Sequence, residues 1–263
     1  MSMPINFHAS ENRYTYAHRQ VDSAWKEMVQ NIVAVQGKQV ADIGCGGGLY
    51  TAAFAEMGAG EVTGVDFSLE MLKSAGEQCK EYSHVLFKQG DALQTGLPSQ
   101  GYDIVLERAV THHLKLSDLP GCFVEALRLL RSGGTLIVQN RTPADYSLPG
   151  SQTHIRGYFH ERYPRLRTVE IGRRADSAIM VAALQQAGFQ GIEERYLWEV
   201  KDVHGDVESL AENLLQRKDR SILHELTDEE LRDLVNYIRQ QFQGYKGEIV
   251  DQTRWTLWIA RKP

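Results

Sequence analysis

Short apolar runs alternate with stretches of helical spacing from Gln39 to Arg141. Val40-Ala41-Asp42-Ile43 reads as a strand that stops at a glycine cluster. Residues 51–57 follow as a helix closed by Gly58, and 61–65 as a second strand ending at Asp66. Ser68 is placed to cap a helix through Met71, Leu72 and Ala75. Val85-Leu86-Phe87 and residues 102–106 supply a third and a fourth strand. Leu119, Phe123, Ala126, Leu127 and Leu130 then recur with the period of a helix packed along one side. Ser132-Gly133-Gly134 turns the chain into a fifth strand, 135–139. Alternation of this kind implies parallel strands joined by right-handed crossovers. The pattern predicts a doubly wound α/β sheet.

Beyond Arg141 the pattern is less regular. Residues 178–187 read as a helix with Gly188 at its C-terminal cap, 191–200 as a strand, and 254–260 as a final strand. These bring the expected sheet to seven strands, mostly parallel. Between the last two strands, Thr227 and Glu230 make a capping box, with Leu231, Leu234, Val235, Ile238 and Phe242 at helical spacing. This apolar stripe is read as packing within a helical cap. The expected organisation is an N-terminal lid helix (1–36), a core (37–141, 175–200 and 248–263), an Arg-rich substrate cap (142–174) and a helical insertion (201–247).

Composition narrows the class. A 42% hydrophobic, 24% charged chain is an ordinary globular one with a core to bury. No run approaches the roughly 18 apolar residues of a membrane span, and the start lacks a secretory pattern. Cys45, Cys79 and Cys122 are widely spaced with no Cys-x-x-Cys. That spacing argues against a disulfide framework or a metal site and points to a reducing cytoplasm. A net charge of −5 argues against a protein that coats nucleic acid.

The chemistry concentrates at the glycine cluster. A strand that ends in glycines and leads into a helix sets bare amides against a ligand, although a tight turn would look the same. Asp66 closes the next strand about twenty residues on, where a carboxylate can take both hydroxyls of a ribose. Asp91, in Gly90-Asp91-Ala92, follows the third strand, where it could equally cap a helix. A dinucleotide loop needs Gly-x-Gly-x-x-Gly or Ala, and Leu49 and Thr51 stand at the third positions. Gly44-x-Gly46-x-Gly48 after Asp42 instead suits a compact nucleoside without a pyrophosphate.

Residues 40–48 resemble motif I of the class I S-adenosylmethionine-dependent methyltransferases. Gly64-Val65-Asp66-Phe67-Ser68 with Met71-Leu72 resembles their second motif, and Gly90-Asp91-Ala92 their adenine-binding motif. Leu129-Leu130-Arg131-Ser132-Gly133-Gly134 is similar to their turn before the fifth strand, with Ser132 where proline is usual. Val110-Thr111-His112-His113-Leu114 is similar to the small-molecule enzymes related to ubiquinone and menaquinone biosynthesis. The resemblance covers residues 38–141 and implies a Rossmann-like fold binding S-adenosyl-L-methionine. It implies that Gly44, Gly46 and Gly48 approach the methionine portion, with Cys45 beside them, and that Asp42 holds its amino group. It puts Asp66 on the ribose, Phe67 and Met71 against the adenine, and Asp91 with the Ala92 amide on the adenine edge.

A sulfonium methyl is already activated, so catalysis rests mainly on positioning, and a base is needed only if the acceptor must lose a proton. His112, His113 and Glu107 are the candidates for that base, Glu107 also for holding the cofactor, and Thr111 for touching the acceptor. The alternative is that the two histidines point apart, one at a helix start and one in packing. Tyr14, Tyr16 and Arg19, or Arg13 in its place, are expected to fold over the cofactor and acceptor as a lid. Arg156 and Tyr158 stand for an arginine-rich, aromatic stretch that could grip an anionic or aromatic acceptor, bind RNA, or pair with the acidic residues of 202–233. The leading expectation is a small-molecule methyltransferase, monomer or homodimer, with no membrane partner. An RNA methyltransferase and a non-catalytic S-adenosylmethionine-binding regulator are the alternatives.

Overall fold

The computed structural model describes residues 21–172, 174–217 and 220–263. Arg13, Tyr14, Tyr16 and Arg19 lie outside them. The strands are β1 (Gln39–Ile43), β2 (Glu61–Asp66), β3 (Val85–Gln89), β4 (Tyr102–Arg108), β5 (Leu130–Asn140), β6 (Gln190–His204) and β7 (Ile249–Arg261). The helices are α1 (Ser23–Ile32), α2 (Leu49–Glu56), α3 (Leu69–Gln78), α4 (Leu119–Leu129), α5 (Ile155–Arg162), α6 (Pro164–Ile171), α7 (Ser177–Ala187), α8 (Val207–Leu215) and α9 (Asp228–Gln241).

The strands form one sheet in the order β3-β2-β1-β4-β5-β7-β6. The first five pair in parallel, and β7 runs antiparallel to β5. Neighbours β1 and β4 are not consecutive in the chain, so strand order reverses between them. That reversal opens a crevice at the carboxyl ends of the strands, where sheets of this kind hold ligands.

The chain divides into two compact units. The larger holds 21–140, Ala175–Leu197 and Thr256–Pro263; the smaller holds Arg141–Arg174 and Trp198–Trp255. In the larger, Leu119, Cys122, Phe123, Ala126 and Leu129 of α4 and Met180, Ala183 and Leu184 of α7 cover one sheet face. They pack on Ala41, Ile43, Val105, Leu136, Val138 and Trp258. Side chains alternate along a strand, so Gln139 faces the other way from Leu136 and Val138. There it accepts the Trp25 indole N–H at 2.8 Å, which ties α1 to that face. The Trp25 ring meets Tyr50 and Phe54 of α2 edge-on, with centroids 4.8 and 5.4 Å away. Apolar strands covered on both faces are the sequence pattern of a buried parallel sheet.

The smaller unit has its own core, with Ile155, Phe159, Leu166, Leu210, Leu214, Leu223, Leu234 and Ile238. Leu231, Leu234, Val235, Ile238 and Phe242, the stripe on α9, are all buried in it. Arg220 and Asp251 form a fully buried ion pair at 2.5 Å.

Three local outcomes differ from the sequence reading. The α2 helix begins at Leu49 rather than residue 51, directly after Gly48 in a left-handed conformation at φ 81°. The expected turn at Ser132-Gly133-Gly134 stays within β5 as an irregularity in its register with β4, with Gly133 at φ 74°. The arginine-rich stretch forms two helices, α5 and α6, joined at Tyr163-Pro164.

Candidate active site

The candidate site lies wholly in the larger unit, at the carboxyl ends of β1, β2, β3 and β4. The glycine loop leaves β1 and crosses to β2, where Gly44 N and Cys45 N donate to Val65 O at 2.7 and 3.0 Å. Asp66 pins the loop to the end of β2: Oδ2 accepts from Gly46 N and Oδ1 from Ser68 N, both at 2.9 Å. A carboxylate oxygen has two lone pairs, so each oxygen keeps one for a further donor. This matches a carboxylate set to accept two vicinal hydroxyls.

The loop glycines serve different ends. A Cβ on Gly46 would meet nothing within 4 Å, so a ligand can come close to the backbone there, while its N–H stays with Asp66. A Cβ on Gly48, by contrast, would lie 2.9 Å from Ala75 Cα and press α2 off α3. Gly44 faces the β4 loop, where any side chain would collide with Val110. Cys45 is buried beside Gly64 and pushed well above the ordinary thiol range by burial, then by the charges of Asp42 and Asp66.

Asp42 is buried and accepts the Thr51 hydroxyl at 2.6 Å. Burial pushes its carboxyl up to about 6, against the pull of the Thr51 hydrogen bond and Arg108, with Asp66 adding to the rise. The Arg108 guanidinium stacks 4.0 Å over the Tyr50 ring. Phe67 is 51% exposed beside Asp66, and Met71 is buried on the first turn of α3. Asp91 turns Oδ1 back on Leu93 N and Gln94 N at 2.7 and 2.9 Å, closing a turn in the loop between β3 and β4, where no helix follows for it to cap. Its carboxylate stays exposed, with half-buried Ala92 alongside.

Glu107 behaves differently from the other carboxylates. It is fully buried at the end of β4 and turned toward α4, where the Cys122 thiol donates to both oxygens at 3.5 Å. Burial pushes its carboxyl up to about 8, with only Cys122 opposing, so near pH 7 it stands protonated. Thr111 is buried and accepts from the Asn140 amide. The His112 and His113 rings lie side by side, centroids 4.0 Å apart and tilted 39°, instead of pointing apart. Sequence reasoning gave no pointer to Tyr50, Thr51, Arg108 or Asn140. Their partners come from other elements, and no local spacing marks them.

Between Arg108 and Val110, Ala109 holds φ 57°, a left-handed conformation that costs a residue with a Cβ about 1 kcal/mol. Its N–H donates to Gln139 O at 2.8 Å, which holds it there. Ala109→Gly is expected to stabilise the fold by about 0.5–1 kcal/mol, a modest gain because glycine also gains freedom in the unfolded chain. Urea unfolding of the two proteins measures it; a destabilised variant would mean the conformation carries no strain.

Residues 41–138 match the family model described as a methyltransferase domain. That segment is a class I S-adenosylmethionine-dependent methyltransferase domain. Over 177 residues it is 28% identical to the ubiquinone biosynthesis O-methyltransferase of Methylococcus capsulatus, covering 63% of this chain and 73% of that one. Over 244 residues it is 26% identical to phosphoethanolamine N-methyltransferase 1 of Zea mays, covering 90% of this chain but only 44% of that protein. The fold is shared with Haemonchus contortus phosphoethanolamine N-methyltransferase 2, solved with phosphomonomethylethanolamine and S-adenosylhomocysteine. That likeness has a TM-score of 0.58 at 18% identity and covers 99% of this chain and 61% of that one. In this methyltransferase the space beside Gly46, the lone pairs left on Asp66 and the exposed Phe67 side chain fit an adenosyl group. Arg156 and Tyr158 lie in the smaller unit, Arg156 against Glu170 and Tyr158 against Tyr237 and Phe242. Among the described residues no helix is long and apolar enough to cross a membrane, and no group of His, Cys, Asp and Glu could hold a metal.

Proposed function

We propose that this methyltransferase moves the methyl group of S-adenosylmethionine to a small-molecule acceptor by direct displacement. When bound, the sulfonium supplies the activated methyl, and the protein's part is to hold donor and acceptor in line. Asp66 takes the ribose hydroxyls, Phe67 and Met71 pack on the adenine, and Asp91 with the Ala92 amide reads its edge. The side-chain-free glycine backbone from Gly44 to Gly48 and buried Asp42 receive the methionine end. Thr111, His112 and His113 are the side chains proposed to meet the acceptor, with a histidine taking a proton where the acceptor has one to lose. A small-molecule role for Arg156 and Tyr158 belongs to the same reading. Cytoplasmic location is part of it too, on the ground that Cys45, Cys79 and Cys122 are all buried free thiols.

The observation that carries the choice of acceptor class is the fate of the arginines. Arg162 grips Asp233 with two hydrogen bonds of 2.7 and 2.6 Å, Arg165 meets Glu230 at 2.7 Å, and Arg217 meets Asp228 at 2.9 Å. Charges cancelled this way inside the smaller unit do not make the basic face that RNA binding requires. S-adenosylhomocysteine release should therefore follow added small phenols, phosphobases or carboxylates, and not added total RNA. Release driven by RNA alone, and falling with salt, would make this an RNA enzyme. Donor binding with no release under any acceptor pool would leave a regulator.

A further inference from the structure

Glu170 of α6 is surrounded by guanidinium groups. Arg156 Nη1 donates to its Oε1 at 2.5 Å and Arg174 Nη2 to its Oε2 at 3.3 Å. Arg141 acts on the same carboxylate, and on Arg156, through its charge. Burial alone would push the Glu170 carboxyl up; Arg156, then Arg174 and Arg141, outweigh it and hold it at about 2. Neighbouring His160 adds no charge of its own. Burial, then the charge of Arg156, push it down to about 4, so it is neutral.

Three positive charges thus gather about Glu170 within a largely buried cluster, where Asp251, already paired with Arg220, is the other acid acting on Arg156 through its charge. Elsewhere in the smaller unit the described pairs match one to one, as Arg254 with Asp145 at 2.6 Å and Arg162 with Asp233. Arg156 is 7% exposed, and its Nε and that of Arg174 are buried without a hydrogen-bond partner. An uncompensated buried cation is costly, and its cost is removed by an anion that also takes the spare N–H groups. The guanidiniums are held in place from behind. The Tyr146 ring lies 4.8 Å from the Arg174 and 5.7 Å from the Arg156 guanidinium. Arg141 sits 4.0 Å over Trp255 and donates to Thr253 Oγ1 at 3.0 Å. Arg141 and Arg174 are less deeply buried than Arg156, the Arg174 side chain being 11% exposed.

We propose that Arg141, Arg156 and Arg174 form, within the smaller unit, a binding site for a small-molecule oxyanion, a phosphate monoester or a carboxylate. The proposal rests on the small-molecule reading above. Planar guanidinium forks match the paired oxygens of either group, which a point charge would not.

Titration calorimetry of the full chain with inorganic phosphate and with acetate, against chloride at equal ionic strength, tests this. Saturable phosphate binding is expected to weaken at least tenfold in Arg174→Gln and in Arg156→Gln, with thermal unfolding showing that each variant is folded. Phosphate without acetate identifies a phosphate monoester, acetate without phosphate a carboxylate, and both the oxyanion class. Saturation by neither overturns the site, as does unchanged affinity in Arg174→Gln. S-adenosylhomocysteine binding by the wild-type protein is read separately. A chain that binds phosphate but not S-adenosylhomocysteine keeps the oxyanion site and loses the methyl-transfer reading, whereas the reverse result loses only this inference.

Discussion

Asp66→Ala is expected to weaken S-adenosylmethionine binding by more than tenfold, on the order of a hundredfold. Two hydrogen bonds from ribose hydroxyls to an ionised acceptor are lost together, each contributing about 1.5 kcal/mol or more. The same carboxylate anchors Gly46 N and Ser68 N, so the variant also frees the glycine loop from β2. Asp66→Asn separates the two contributions. Its carbonyl oxygen still accepts one backbone amide, while its NH2 meets the other donor and the charge is gone. Asn is therefore expected to lose nearly as much donor affinity as Ala but less thermal stability. Calorimetric titration with S-adenosylhomocysteine reads the first, thermal unfolding the second. Donor affinity unchanged in Asp66→Ala would remove this carboxylate from the site.

Glu107→Gln is expected to stabilise the protein by about 2–4 kcal/mol at pH 8 and to change little near pH 4.5. The ordinary carboxyl value is 4.5, and burial raises it to about 8 in the folded chain. Between those values the folded protein keeps a proton that the unfolded chain has released. Stability therefore falls as pH rises through this window and levels off above it. Glutamine preserves the shape and removes the titration, so the two stability curves should diverge from pH 4.5 upward. Asp42 adds a smaller fall in the same direction between 3.8 and about 6, and it does so in both proteins. Urea unfolding at several pH values measures the difference. Parallel curves for wild type and variant would show that Glu107 is not held protonated.

The larger unit was legible because its signals are local. Period-two and period-3.6 apolar runs, glycines at φ-demanding positions and acids at strand ends all lie within a few residues of what they determine. The Asp66 bonds to Gly46 and Ser68 could be anticipated from the order of β1 and β2 alone. The Arg108 stack on Tyr50, the Thr111–Asn140 bond and the thiol facing Glu107 could not, because each joins elements whose approach is set by packing. The arginine-rich stretch shows the same limit. Its composition fits pairing, substrate and RNA alike. Only the helices decide that Arg162 and Arg165 meet the acids of α9 while Arg156 and Arg174 converge on Glu170.

The place of β7 between β5 and β6 has a consequence for how the protein is made. Its pairing with β5 runs from Thr135↔Arg261 to Asn140↔Thr256, so strands more than a hundred residues apart must meet. During synthesis, β3-β2-β1-β4-β5 and the adenosyl-binding loops emerge first, with the flank of β5 still unpaired. That exposed flank persists while the smaller unit is translated, and it is a template for wrong partners. This step is slow because it closes a long loop, with more than a hundred residues between the paired strands. Chaperone dependence should therefore track the pairing of β7 and not the nucleoside site.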